Sequence, residues 1–392
     1  MKKRPTKLTT NLALLCLALL VGGVIVEVVL RVDGRYDDLT ADNFVPSAAI
    51  WDRAPNDRQS QRHPDLGYRV PLIYNDIGLR NHAGVGTSHI EAFKGRIVGF
   101  FGDSFTENRR VDDTFTFTSL LQKSVDPDRT LILNFGVDGY GLDQSYLKYT
   151  SFTQRTVDHV FYVFFRNDLQ NLYETQLFDF SDADRINPRP RETAWYVAIL
   201  QRLHITYLLI ESYARLQALR HGSDAAGGDF VQDAANVGQR LFSRDRARDN
   251  RYHARPEVGM AGNLLSGAPS ERTVQWAANF RRLLEIWRKR VEDDGGELIV
   301  VVLPHENGSA VARALFASSF KGRVMFLEDH FAGDFNGYLF ANNPHWNEAG
   351  NLIAAGAIGR WGDGDYWRFD ESRFTSLEAE IRTRIRSLYS KK

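Results

Sequence analysis

Residues 96–101, 130–135, 158–165, 297–303 and 323–327 are short apolar runs, and stretches of helical period separate them. The run 158–165 is apolar almost throughout, which suits a strand covered on both faces. Strands that alternate with helices build a parallel, doubly wound sheet, so the chain is expected to fold as an α/β domain. The spacing predicts helices over 116–123, 144–152, 271–292, 309–316 and 347–361, and residues 68–74 read as an edge strand.

The first of these runs feeds directly into Gly102-Asp103-Ser104-Phe105-Thr106. A strand ending in Gly-Asp-Ser exposes its serine at the carboxyl edge of a parallel sheet, where open α/β folds place their ligands. Taken alone, that tripeptide is an ordinary strand-to-helix turn. Three further segments follow in order: Asn134-Phe135-Gly136-Val137-Asp138-Gly139, Arg166-Asn167-Asp168, and Pro344-His345-Trp346-Asn347-Glu348-Ala349-Gly350. Each falls at an expected strand end or in a loop.

Together the four blocks resemble the GDSL or SGNH hydrolase superfamily over about residues 65 to 360, with a long interruption after Asp168. The stretches Gly78-Leu79-Arg80-Asn81, 134–144 and 345–350 are similar to those of membrane-anchored bacterial envelope members. That resemblance implies a flavodoxin-like three-layer fold. It also implies Ser104 as nucleophile, His345 as general base, and the Ser104 and Gly139 backbone N–H groups with the Asn167 amide as oxyanion donors. Gly136 is the alternative to Gly139. Acyl transfer needs just these parts: a nucleophile, a base and donors for the developing oxyanion. Asp103 is expected to fix the nucleophile turn and Asp168 to brace its own loop.

Two positions depart from the family pattern. An aspartate usually stands two or three residues before the histidine, but Asn343 and Asn342 stand there in this chain. An asparagine can hold the imidazole through its carbonyl oxygen yet brings no negative charge. Asp329, Asp334, Glu306 or a backbone carbonyl are the other candidates for that role. Phe165 or Arg166 also occupies the place where block three often carries glycine, which bears on substrate choice.

Residues 12–30 contain a single charged side chain, Glu27, and follow Lys2, Lys3, Arg4 and Lys7. That length covers roughly 30 Å of hydrocarbon, and the basic flank stays cytoplasmic; a cleavable signal peptide is the rival reading, against which stand the length of the apolar run and the lack of an Ala-x-Ala-like site after it. The organisation read from the sequence is therefore a basic segment 1–11, a transmembrane anchor 12–30, a stalk 31–64 and an SGNH-like domain 65–368. Within that domain, 169–270 forms an insertion. Its part 194–219 reads as a helix or helical hairpin packed on the core, with a membrane-touching or substrate-gripping lid as the alternative. Residues 221–262 have no period and read as a loop. Apolar residues at spacings of three and four make 369–392 an amphipathic helix packed on the domain.

Lys plus Arg and Asp plus Glu number 49 each, so no basic field recruits nucleic acid. The lone cysteine, Cys16, excludes an internal disulfide. No HExxH, clustered His/Cys set or GxxxxGK(S/T) occurs, and Ser-His chemistry requires neither metal nor cofactor. The expected function is a membrane-tethered serine esterase or O-acyl transferase, with acetyl the acyl group the resemblance implies. Its substrate would be acylated carbohydrate or another envelope ester on the periplasmic side of the inner membrane. The alternative is a catalytically weak SGNH-fold binding or scaffold protein with envelope-assembly partners.

Overall fold

The computed structural model describes residues 7–33, 44–80, 85–181, 187–188, 200, 203–220, 259–304, 307–317, 319–331 and 335–390. Most of the expected loop 221–262 lies outside the described residues, as do Asn81, Glu306 and Asp334. The chain divides into two units, residues 1–42 with 193–250, and residues 43–192 with 251–392.

In the first unit a single helix runs over Lys7–Asp33, and its segment Leu14–Asp33, with mean hydropathy 2.5, is long and apolar enough to cross a membrane. The insertion contributes a helix over His204–Arg220 that packs against it. Glu27 explains the pairing: its carboxylate accepts from the His204 and Ile205 backbone N–H groups at 3.1 and 2.9 Å and from Arg31 at 2.8 Å. The first N–H groups of a helix have no partner within it, and a carboxylate there satisfies them. Within this unit the insertion helix therefore packs on the N-terminal apolar helix.

The second unit begins with two antiparallel hairpins, β1 (Phe44–Ser47) with β2 (Ile50–Arg53) and β3 (Arg58–Arg62) with β4 (Arg69–Ile73). Two expectations are corrected here. Strand β4 pairs in its own small sheet and not at the edge of the central one, and residues 44–62 are folded structure, where a stalk was expected. Their polar composition misleads because Arg53 and His63 are buried against charged partners, Glu107 and Glu348.

The central sheet comprises β5 (Arg96–Gly102), β6 (Thr130–Asn134) and β7 (His159–Phe164), joined after the short pair β8 (Phe178–Asp179) and β9 (Asn187–Pro188) by β10 (Glu297–Val302) and β11 (Arg323–Phe326). All its pairings are parallel, in the order β11-β10-β7-β5-β6. Counted along the sheet alone this is 2-1-3-4-5, the flavodoxin-like order, whose switch point lies between its first and third strands. Those strands are β5 and β7.

Side chains alternate between two cores. Ile97, Phe101, Leu133 and Tyr162 pack under helices Leu142–Ser151, Asp168–Thr175 and Glu271–Asp293. Val98, Phe100, Ile132 and Phe161 pack under Phe117–Ser124, Glu348–Trp361 and Glu371–Tyr389. The result is the three-layer α/β fold that the alternation of strands and helices predicts. The C-terminal helix buries Phe374 and Ile381 against this second layer, with Leu377, Ile385 and Leu388 partly covered. A last hairpin, β12 (Leu339–Phe340) with β13 (Asn343–Trp346), brings His345 and Trp346 to the carboxyl end of β5.

Candidate active site

Ser104 opens a one-turn helix, Ser104–Glu107, immediately after β5. Asp103 caps it, its Oδ1 accepting from the Phe105 N–H at 2.9 Å, as an Asp N-cap does. The serine is held at the carboxyl end of β5, beside the switch point.

His345 arrives from β13. Its Nε2 lies 2.7 Å from Ser104 Oγ, and its Nδ1 lies 2.5 Å from Asn343 Oδ1. Successive side chains on a strand face opposite ways, so positions 343 and 345 share a face. Asn343 therefore reaches the imidazole. Asn342 does not share that face: its amide nitrogen donates to Asp65 Oδ1 at 3.2 Å. Of the two asparagines named from the sequence, the orienting contact belongs to Asn343. Asp329 stands exposed after β11.

A carbonyl oxygen only accepts, so Asn343 selects the tautomer with hydrogen on Nδ1, leaving the Nε2 lone pair facing the Ser104 hydroxyl. Phe105 supports the ring from one face, with centroids 4.9 Å apart and planes at 28°. Phe165 and Trp346 in turn pack against Phe105 at 4.8 and 5.5 Å. Phe105 is a site residue the sequence reading missed, and nothing in local sequence marks an aromatic as a support for a histidine 240 residues away.

Gly139 lies in the loop after β6 with φ +81°, a left-handed conformation that glycine adopts without strain. Among the contacts that hold this loop, the Asp138 N–H donates to Glu107 Oε2 at 2.6 Å, and Asn171 Nδ2 donates to Gly139 O at 3.4 Å. Asn171 belongs to the helix that follows Asn167, so the second and third blocks meet. On the other side, Asn134 Nδ2 donates to Thr106 O at 2.7 Å and ties β6 to the nucleophile turn.

Asn167 ends β7's exit loop at the N-cap position of helix Asp168–Thr175, with no capping bond from its side chain. Its amide sits beside the Asp103 carboxylate and favours the ionised form of that group. Asp168 accepts from Tyr162 OH at 2.5 Å and from the Phe165 N–H at 3.1 Å, bracing its loop. Burial dominates the titration of both carboxyls. It pushes Asp103 up to about 7, with Asp138 adding to the rise, while Asp168 is raised well above the carboxylate range by burial and then by Asp103.

The described residues contain no group of three or more His, Cys, Asp and Glu side chains able to hold a metal ion. What the structure brings together is a serine hydroxyl on an imidazole whose other nitrogen meets an amide oxygen.

No protein-family model matches the chain, and no curated protein matches it. Among the solved structures that align with it are two mutants of Axe2 from Geobacillus stearothermophilus, described as an acetylxylan esterase and as an acetyl-xylooligosaccharide esterase. Each alignment covers 71% of this chain and 99% of that one, at 12% and 13% identity respectively, with a TM-score of 0.25. Likeness at that level carries neither fold nor chemistry across. Both rest on this chain's own topology and side chains.

Proposed function

We propose that this protein is a membrane-tethered serine esterase or O-acyl transferase of the SGNH type. Its substrate is acylated carbohydrate or another envelope ester outside the cytoplasm. The single observation that carries the reading is the continuous hydrogen-bonded chain Ser104–His345–Asn343.

In the reaction, Ser104 Oγ attacks the ester carbonyl carbon while His345 Nε2 takes the hydroxyl proton. The carbonyl oxygen becomes an oxyanion, met by the N–H groups of Ser104 and Gly139 and by the Asn167 amide. Collapse of the intermediate breaks the bond to the leaving alkoxide, which takes its proton from Nε2. An acyl-Ser104 ester remains. Water completes hydrolysis, or a sugar hydroxyl completes transfer, each deprotonated by the same nitrogen. Asn343 orients the imidazole throughout but adds no charge to stabilise imidazolium, so turnover is slower than with a carboxylate.

The tether in this reading is the apolar segment Leu14–Asp33, with its basic N-terminal flank on the cytoplasmic side. The competing reading, an inactive binding or scaffold protein, draws on the uncharged Asn343. An idle fold, however, has no need of a serine hydroxyl and an imidazole aligned at 2.7 Å.

The test is hydrolysis of an aryl acetate by the detergent-solubilised full chain, with and without a sugar acceptor. Turnover that vanishes in Ser104→Ala supports the proposal. Equal background rates in folded wild type and variant refute it, and acetylated sugar as the product marks a transferase.

A further inference from the structure

The helical turn that carries Ser104 ends in Glu107, a carboxylate with no exposure. Four donors converge on it. Arg53 reaches it with Nε on Oε1 at 2.6 Å and Nη2 on Oε2 at 2.8 Å, Tyr74 OH reaches Oε1 at 2.6 Å, and the Asp138 N–H reaches Oε2 at 2.6 Å. Arg80 adds a bond from Nη1 to the Glu107 carbonyl at 2.9 Å. Burial by itself would raise the carboxyl's pKa. The guanidiniums of Arg53 and Arg109 and the bonds from Arg53 and Tyr74 outweigh burial and hold it down to about 2.

The fourth donor matters most, because Asp138 immediately precedes Gly139. A buried carboxylate that accepts four hydrogen bonds is fixed, and whatever hangs from it is fixed as well. Arg53 ends the first hairpin and Tyr74 directly follows the second, and the composition of residues 31–64 resembles a linker. We propose that Glu107 is a positioning residue that aims the Gly139 amide at the oxyanion, and that Arg53 and Tyr74 set Glu107 for that task. The N-terminal hairpins thereby complete the site. This inference rests on the reading of Ser104 as an acyl-transfer nucleophile, and it deepens that reading by naming what holds one of the donors.

The experiment compares full-length, detergent-solubilised wild type with Glu107→Gln, Arg53→Lys and Tyr74→Phe in aryl acetate hydrolysis, alongside amide hydrogen exchange at Asp138 and Gly139. Glu107→Gln is expected to lower kcat about a hundredfold, near the loss of one oxyanion donor, with KM within about twofold. Tyr74→Phe, which removes one bond, is expected to lower kcat about fivefold, and Arg53→Lys falls between the two. Exchange at Asp138 should quicken at least tenfold in Glu107→Gln and Arg53→Lys. A purely structural role would lower the melting temperature and leave kcat at a permissive temperature unchanged.

A folded Glu107→Gln with wild-type kcat overturns the proposal. If that variant does not fold, unchanged kcat in both Arg53→Lys and Tyr74→Phe does so. Should wild type itself lack Ser104-dependent turnover, the esterase reading fails separately, and unaltered Asp138 exchange in the variants then overturns the positioning claim on its own.

Discussion

His345 Nε2 stands 2.7 Å from Ser104 Oγ although 241 positions separate the two residues in the chain. Phe105, the residue after Ser104, stacks on the same imidazole at 4.9 Å. The turn that carries Ser104 thus also supports the His345 ring. Removing the base while keeping a polar side chain, as in His345→Gln, should lower kcat by about 10²- to 10⁴-fold with little change in KM. Steady-state ester hydrolysis checks this, and a folded variant with near-normal kcat would exclude His345 as the base.

Asn343 presents a carbonyl oxygen to Nδ1 at 2.5 Å and so favours the tautomer with hydrogen on Nδ1, without the negative charge of a carboxylate. Asn343→Asp supplies that charge and should raise kcat about tenfold, which corresponds to roughly 1.4 kcal/mol of imidazolium stabilisation. Asn343→Leu, which cannot accept the Nδ1 proton, should fall below wild type. A hundredfold loss in Asn343→Asp would contradict this account of the orienter.

Stability should respond to pH in opposite senses at two buried carboxyls. Glu107 has its pKa depressed from 4.5 to about 2, chiefly by Arg53 acting against burial, so its contribution is present above pH 4.5 and is lost as pH falls toward 2. Asp103 has its pKa raised from 3.8 to about 7 by burial and by Asp138. Its contribution is therefore full below pH 3.8 and is lost as pH rises through 7. Urea midpoints measured across this range should show Asp103→Asn flattening the upper limb and Glu107→Gln flattening the acid limb. Parallel wild-type and variant curves would contradict the assignment.

Gly136 approaches the nucleophile turn so closely that a Cβ there would meet Glu107 N at 2.3 Å and the Thr106 carbonyl carbon at 2.6 Å. Both are backbone atoms, which cannot swing aside. Gly136→Ala should cost about 1–3 kcal/mol in urea unfolding, the usual range for overpacking, and should slow turnover by moving the turn. Unchanged stability would show that β6's exit loop is looser than the structure has it.

Much of this was legible in the sequence, for physical reasons. The strands β5, β7 and β10 are apolar along their length because both faces are covered, and the residues proposed for the chemistry follow β5, β6 and β7 because a parallel sheet puts those strand ends on one side. The expected ends of β6 and β7 fall within a residue of those observed. Residues 44–62 read as a stalk since Arg53 and His63 look like surface residues until Glu107 and Glu348, 54 and 285 positions away, are seen to pair with them. Asn342 and Asn343 were indistinguishable on paper. A two-residue strand such as β12 has no detectable period, and only the hairpin it forms with β13 decides which asparagine shares a face with His345. The partner of the insertion helix was equally hidden, because Glu27 reads as a flaw in an apolar span until His204 and Ile205 donate to it.

The most direct measurement of the central claim is reaction of the folded, detergent-solubilised protein with a fluorophosphonate, followed by mass spectrometry of the peptide containing residues 102–106. An oriented Ser104 displaces fluoride and carries one phosphonyl group, Ser104→Ala carries none, and His345→Gln is labelled far more slowly. A folded wild type left unmodified, or one modified as readily in Ser104→Ala, would contradict the account.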